Sequence, residues 1–407
     1  MKRILALILS VLMIISAFSA CGEKGFDPDE PITLTVCVES FFVETMMDDE
    51  LEDIVGTYYP NISLEFEVIN STDLQKRENQ LQNLRTEIVA GKGPDIFLLS
   101  TYQYGYSDDV EPLFVNVEKA MRNNIFLPLN EYIAESEHYI PEEHLGIVMD
   151  AGKLNGEQLV LPLLYSVSHK LYDAEKVEGL EFPTWDNFNN CGDPTLLNTL
   201  GVGIGFNRIF DSIADYDKLE LSFSEEELLY YFKAANALAE VEPNEELGFS
   251  TDTNGIYMNS WYLEEIRLLP GEPYAHPIQN INGGVTALIE AYGAINANTA
   301  RPEAAFKVVE LFFDKDVQSG KGIMSCPAEY HYNAIAGVAT SKYAYKDPVL
   351  HTEGFLDSIN EKITTVRFSS DFDRVLYELM LEGFYGRNDI EKLVAETYSD
   401  MKMMIAE

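Results

Sequence analysis

The chain has 407 residues, 28 Lys and Arg against 68 Asp and Glu, a formal charge of -40, 46% hydrophobic residues and four cysteines. This length can hold two or three domains with ordinary apolar cores, and the hydrophobic fraction excludes a disordered chain despite the charge. Nucleic acid is excluded as a partner, because neutralising phosphates needs clustered Lys and Arg, and no such cluster occurs.

Residues 1–21, MKRILALILSVLMIISAFSAC, open on Lys2 and Arg3 and run apolar from Ile4 to Ala20 apart from three serines. This is the layout of a secretory signal, short for a membrane span and ending in small residues. Phe18-Ser19-Ala20-Cys21 resembles a bacterial lipobox, where small residues precede a cysteine that is lipidated and becomes the new N-terminus. The expectation is a signal peptide over 1–20, a lipid anchor at Cys21 and a polar tether over 21–31. Cleavage removes two cations and no acid. The mature chain is then repelled by anionic lipid, so the acyl chains must carry the anchoring. The other cysteines, Cys37, Cys191 and Cys326, are odd in number and widely spaced, with no CxxC, so neither a zinc site nor a disulfide framework is indicated. Cys37 lies in the apolar run ITLTVCV and reads as a small core residue.

Ile32 to Val38 is β-branched and alternating, which predicts a strand, and Asp48 to Tyr58 follows with helical character. ISLEFEVI, residues 62–69, alternates as a second strand. Leu74 to Ala90 places Leu74, Leu81, Leu84, Ile88 and Val89 on one face of an amphipathic helix. Gly91-Lys92-Gly93-Pro94 ends it, with glycine supplying a left-handed cap and proline forbidding continuation. Ile96 to Leu99 then reads as a buried strand. Strands alternating with helices predict βαβ units and a largely parallel sheet.

A second unit begins near Gly156. Leu159 to Leu164 is strand-like, Pro183-Thr184-Trp185-Asp186 resembles a helix entry, and Gly201 to Gly205 reads as a flexible strand or turn. Ser224 and Glu227 form a capping box ahead of LLYYFKAANALA. Pro302-Glu303 opens the helix AAFKVVELFF, with proline and an acid suited to its first turn. The tail from Asn388 predicts a terminal helix.

Several segments, in this order, resemble the extracellular solute-binding proteins of ABC importers, specifically the maltose-binding-protein-like (family 1) group. Ile88-Val89-Ala90-Gly91-Lys92-Gly93-Pro94-Asp95-Ile96-Phe97 is similar to that family's early G-x-G-P-D-[IV] segment, and Leu154-Asn155-Gly156-Glu157-Gln158-Leu159-Val160-Leu161-Pro162 to the stretch that enters its second lobe. Pro183 to Phe188 resembles its P-x-T-W turn. Gly283-Gly284 and Arg301 to Phe312 resemble its glycine pair and P-E-A-A helix. Glu157-Gln158 departs from the usual Lys and aromatic, and residues 190–260 match no part of the pattern. The resemblance implies an α/β, two-lobed, type II periplasmic-binding-protein-like fold: two mainly parallel or mixed sheets flanked by helices, with hinge crossovers. Residues 30–158 and 281–325 would form one lobe, 159–280 and 326–407 the other.

In open α/β sheets ligands sit beyond the carboxyl ends of strands. That rule selects Ser40, Phe41 and Phe42 after the first strand, Thr101, Tyr102 and Tyr104 after the third, and Tyr165 with Ser166 after the crossover. Asn259 and Trp261 form a further aromatic and polar patch, and Glu329 to Asn333 a weaker one. Rings and hydroxyls suit a cleft that stacks on a ligand and fixes its polar groups. The same side chains read equally well as core and solvated loop. Should the ligand be cationic, Glu39 and Glu44 would meet it.

No GxSxG elbow, HExxH, P-loop or GxGxxG is present, and His138 and His144, six apart, read as solvated. The expected protein is a surface-anchored solute-binding lipoprotein, with no enzyme activity, cofactor or metal. It is a monomer that captures a small-molecule ligand, first a sugar or oligosaccharide, for ABC permease subunits. The membrane is reached through the anchor at Cys21, on the extracellular or periplasmic face. The rivals are a secreted lipoprotein glycoside hydrolase and a surface adhesin or sensor using the same fold.

Overall fold

The computed structural model describes residues 26–39, 47–70, 73–101, 111–200, 203–241, 256–257, 273–314, 338–339, 353–384, 386 and 389–406. Its first elements are β1 (Ile32–Glu39), α1 (Met47–Tyr58), β2 (Ile62–Ile69), α2 (Leu74–Val89) and β3 (Ile96–Ser100). β1 pairs in parallel with β2 along its whole length and with β3 over Val36–Val38. Alternation decides what each face meets. Leu34, Val36 and Val38 pack with Leu51 and Val55 of α1, while Cys37 and Phe97 pack with Leu81, Leu84 and Ile88 of α2 on the other side. Each end of α2 satisfies its orphan backbone groups. Asp73 accepts from the Lys76 amide, and past Ala90 the amides of Gly91 and Lys92 return to the carbonyls of Ile88 and Glu87. Gly91 holds φ +73 there, a conformation that costs glycine nothing.

After β3 comes α3 (Val117–Arg122), capped by Asn116, which accepts from the Lys119 amide at 3.0 Å. β4 (Val160–Asp173) has 14 residues, far beyond the six apolar positions that signal it in the sequence. The expected helix at Pro183 is a turn leading to a short 3-10 stretch, Phe188–Asn190. The reason is Trp185, which is buried and donates Nε1 to the Gln279 carbonyl at 2.9 Å. Gly203 and Gly205 lie in a 3-10 segment, Gly203–Ile209, rather than in a strand. A small hairpin, β5 (Ala214–Asp215) and β6 (Glu220–Leu221), precedes α4 (Glu225–Ala239). The capping box is formed: the Glu227 amide donates to Ser224 Oγ and the Ser224 amide to Glu227 Oε2. β7 (Pro273–Pro277), β8 (Val285–Ile295), α5 (Pro302–Glu310), β9 (Ile363–Phe368), α6 (Asp371–Phe384) and α7 (Ile390–Ala406) complete the order.

The main sheet runs β7-β4-β8-β3-β1-β2 and is mixed. β8 lies antiparallel to β3 through Ala291–Ile295, while its first half, Val285–Ile289, lies parallel to β9. β4 pairs with β8 through Val160–Leu164 and with β7 through His169–Asp173. Two long strands therefore pass from one packing unit into another. The first unit has a core on each face of the N-terminal strands. The second is built around Phe206, Phe210, Phe232, Phe372 and Met380, contributed by the 203–209 segment and the residue after it, α4 and α6. Every residue of β8 is buried, as expected for a strand covered on both sides.

The described chain begins docked on the first unit. Phe26 donates its amide to Glu303 Oε2 at 2.5 Å, and Lys307 Nζ lies 5.3 Å over its ring. His144 is buried against Tyr139 and Phe313, and His138 lies 2.6 Å from Asp314 Oδ2 and against the Tyr58 ring. Neither histidine is solvated as its sequence position predicts, because an aromatic shell closes over both. Among the described residues no helix is long and apolar enough to cross a membrane.

Candidate functional site

The carboxyl end of β3 and the middles of β4 and β8 meet at one polar joint. Thr101 is buried and donates Oγ1 to the Ile289 carbonyl at 2.7 Å, and its amide to Glu290 at 3.0 Å. Ser166 of β4 donates its hydroxyl to the carboxylate of Glu290 on β8. Arg208 Nη2 reaches Ser166 Oγ at 2.9 Å and Glu290 Oε1 at 3.2 Å. Neutral bonds from Thr101 tie β3 to β8, and charge-assisted bonds among Ser166, Glu290 and Arg208 join β4 to β8 away from water, where such bonds are strong and a missing partner is costly. Next along the chain, Asn207 Nδ2 donates to Asp373 Oδ1 at 2.7 Å. Asp373 Oδ2 accepts from Arg367 Nη1 at 2.7 Å and from the Ser370 amide at 2.8 Å.

Beside this network lies a cavity of about 170 Å³. Its walls come from the start of α3 (Asn116, Val117, Glu118), from the β5 hairpin and the residues before it (Asp211 to Ala214, Tyr216), and from β9 with Ser370. Val117 belongs to a core of the first unit and Ile213 to the core of the second, so the cavity lies between the units. Direct contacts join its walls. Asn116 Nδ2 donates to Tyr216 Oη at 2.5 Å, the Arg122 guanidinium contacts Asp217 and lies 5.7 Å over the Tyr216 ring, and the Asp371 amide donates to the Val115 carbonyl at 3.1 Å.

Burial sets the electrostatics. Desolvation pushes the Glu118 carboxyl above its ordinary range, opposed by Arg367 and Arg122 and reinforced by Asp373. Asp371 is raised by burial, with the Asn116 hydrogen bond and Lys119 acting against it. The Tyr216 hydroxyl is raised by burial and by the charge of Glu118, so it stays a hydrogen-bonding phenol at neutral pH. The wall therefore offers carboxylate, amide, hydroxyl and guanidinium groups beside the rings of Tyr216 and Phe368. That donor and acceptor set suits a small ligand with many polar groups. The lining contains neither histidine nor cysteine, and among the described residues no group of three His, Cys, Asp or Glu could hold a metal ion.

Of the residues selected by sequence, Thr101, Tyr165 and Ser166 are described, Ser166 as part of the joint. Thr101 belongs to the joint, and Tyr165 is buried with its hydroxyl donating to Asn360 Oδ1 at 2.7 Å. Ser40, Phe41, Phe42, Tyr102, Tyr104, Asn259, Trp261 and Cys21 lie outside the described residues, as do Glu44 and residues 329–333. Glu39, considered for a cationic ligand, is buried and held by Arg77 in a two-point ion pair at 2.7 and 3.1 Å. The cavity residues Asn116, Glu118, Asp211, Tyr216 and Arg367 escaped sequence reasoning. One signal was present: ITTVRF alternates as a strand, and the carboxyl-end rule would then have selected Ser369 and Ser370.

No protein-family model matches the chain, and no curated protein does. Solved structures do. The sugar-binding protein MalE from the phytopathogen Xanthomonas citri superposes with a TM-score of 0.60 at 14% identity, covering 92% of this chain and 98% of that one. A family 1 extracellular solute-binding protein from Alicyclobacillus acidocaldarius subsp. acidocaldarius DSM 446 gives 0.57 at 14% identity, over 94% and 100%. Another, from Bifidobacterium longum subsp. infantis, gives 0.55 at 15%, over 91% and 100%. The chain has the type II periplasmic-binding-protein fold that these proteins share.

Proposed function

We propose, from the fold shared with extracellular solute-binding proteins, that this chain captures a sugar or oligosaccharide and delivers it to ABC permease subunits. The observation that carries the reading is the cavity between two packing units that β4 and β8 join without a break. Two units on continuous strands can hinge, and a ligand that touches both shifts the population toward closure. Residues 30–158 with 281–325 form the first lobe and 159–280 with 326–407 the second, a division supported by the separate aromatic core of 185–238 and 372–405. The similarity to a sugar-binding protein over nearly the whole chain supports a sugar as solute.

The chain acts as a binding protein and not as an enzyme, held as a monomer at the outer face of the membrane by a lipid on Cys21. The docking of Phe26 supports such an anchor. Four residues lie between it and Cys21, five chain steps with a reach of about 18 Å at full extension, so the body would sit close to the bilayer.

A thermal-shift screen of the mature chain against mono- and oligosaccharides tests this. A sugar at a hundred times its dissociation constant should stabilise the fold by about 2.7 kcal/mol. If no sugar raises the melting temperature, or a bound sugar is hydrolysed on incubation, the capture reading fails.

A further inference from the structure

We infer that α3 is a latch: it holds the two packing units against each other across the cavity, and its release opens that cavity. The inference takes its meaning from the two-lobed capture reading above, as the gate through which a solute would pass.

A helix of six residues is too short to hold itself, so what it docks on decides where it sits. Its apolar side, Val117, Ala120 and Met121, packs into a core of the first unit. Its polar groups reach the other way. Arg122 pairs with Asp217 on the β5–β6 hairpin and lies 5.7 Å over the Tyr216 ring. Lys119 Nζ donates to the Met404 carbonyl of α7 at 2.6 Å. Asn116, the cap of α3, donates Nδ2 to Tyr216 Oη at 2.5 Å, and the Val115 carbonyl accepts from the Asp371 amide at 3.1 Å. Tyr216 and Met404 in turn pack on the core of the second unit.

Two of these bonds satisfy groups that helices leave open. Asp371 begins α6, where the first amides have no partner within the helix. Met404 lies in the final turn of α7, where carbonyls lack partners and a cation is favoured. The hairpin, α6 and α7 thus all register on one short helix, which makes the seam specific. It is also reversible, because polar bonds can be exchanged for bonds to water when the seam parts, and the two apolar cores remain separate clusters. Asn116 and Tyr216 line the cavity from opposite walls, so parting their bond draws one wall from the other.

The test uses the full mature chain without any sugar. Hydrogen–deuterium exchange is read at the Asp371 amide, whose bond crosses the seam, and small-angle scattering reports the overall opening. Lys119→Gln with Arg122→Gln should speed that exchange by about tenfold or more, through loss of an exposed pair, a cation–π contact and a charged hydrogen bond. The radius of gyration should rise while the amides of β1 keep their protection. Asp217→Asn, a change at an exposed side chain, should act in the same direction by about two- to threefold. Reversing the pair, Arg122→Glu with Asp217→Arg, should recover protection that Arg122→Glu alone loses, which a merely structural arginine would not do. Unchanged Asp371 exchange and unchanged scattering in the Lys119→Gln, Arg122→Gln chain overturn the latch. If that chain also loses protection in β1 it has unfolded, and Asp217→Asn then decides, with unchanged exchange at Asp371 overturning the latch. A failed latch leaves solute capture standing, and an opening seam in a chain that binds no sugar overturns only the capture reading.

Discussion

Replacing Arg77 with Met removes the guanidinium that closes on Glu39 at the carboxyl end of β1. Arg77 Nη1 and Nη2 donate to Glu39 at 2.7 and 3.1 Å, and the same group donates to the carbonyls of Glu111 and Asn70. The two side chains are 3% and 1% exposed, so water does not replace the lost partner. Glu39 must then stay charged without a counterion or take up a proton. Protonation sets the ceiling: from an unfolded value of about 4.3 to pH 7, at about 1.4 kcal/mol per unit, it costs roughly 4 kcal/mol. The expected loss of stability at pH 7 is about 3–4 kcal/mol, within the range for breaking a buried pair from one side.

The pH dependence of that loss is the sharper signature. In the native chain burial raises Glu39 and Arg77 opposes it. In the variant burial alone remains, so the folded carboxyl keeps its proton above pH 4.3 while the unfolded one ionises. Folding then binds a proton, and the variant gains stability as pH falls. The gap from the native chain should narrow by roughly 3 kcal/mol between pH 7 and pH 5. Urea unfolding of the mature chain at pH 5, 6 and 7, compared at constant slope, reads this directly. The double change Arg77→Met with Glu39→Leu removes both charges and should recover more than half of the loss. A loss under about 1 kcal/mol, or a gap that does not move with pH, refutes the reasoning.

Three further outcomes are expected. A Cβ on Gly152 would lie 1.8 Å from the Val160 carbonyl oxygen, whereas one on Gly156, at φ +85, meets nothing within 4 Å. Gly152→Ala should therefore cost about 3 kcal/mol or more and Gly156→Ala about 1, and equal melting temperatures would contradict this. His169 and His276 are held at about 4 and about 3, both chiefly by burial. The unfolded histidines bind protons first as pH drops from about 6.5, so stability is lost down to about pH 4, by roughly 3 kcal/mol for each. His276→Phe, whose ring would replace the stack on Phe182, should flatten the pH dependence of the urea midpoint, and an unchanged slope counts against the assignment. Ser224→Ala removes the hydroxyl that accepts from the Glu227 amide, leaving the backbone bond from Ser224 to Glu227 in place, and should cost about 1 kcal/mol, with Ser224→Asp keeping most of the stability. Melting curves of the two variants that coincide would show that the cap contributes nothing.

The first half of the sheet was legible because local chemistry and tertiary role agree there. ITLTVCV and ISLEFEVI alternate, α2 ends at its Gly91 stop, and each became the element expected, with Leu81, Leu84 and Ile88 of the stripe buried and Leu74 and Val89 left exposed at the ends of the helix. The capping box at Ser224 and the proline opening at Pro302 held for the same reason: their partners lie within one turn. Reading failed where the partner is distant in sequence. His144 looks like a surface histidine until Tyr139 and Phe313 close on it. Trp185 looks like a helix entry until its indole nitrogen finds Gln279. Glu39 looks available to a ligand until Arg77, 38 positions on, takes both of its oxygens.

By itself the sequence determined the alternating strands and helices and the places where helices start and stop. These depend on hydrophobic period and on caps formed by near neighbours, so a single chain carries them whole. Tertiary structure decided which half of β4 and β8 belongs to which unit, which acid is held by an arginine and which lies beside the cavity. Glu118 and Asp373 are both acids near a helix start. Only the packing of β9 sets Arg367 against Asp373 and within electrostatic reach of Glu118 at the start of α3, beside the cavity.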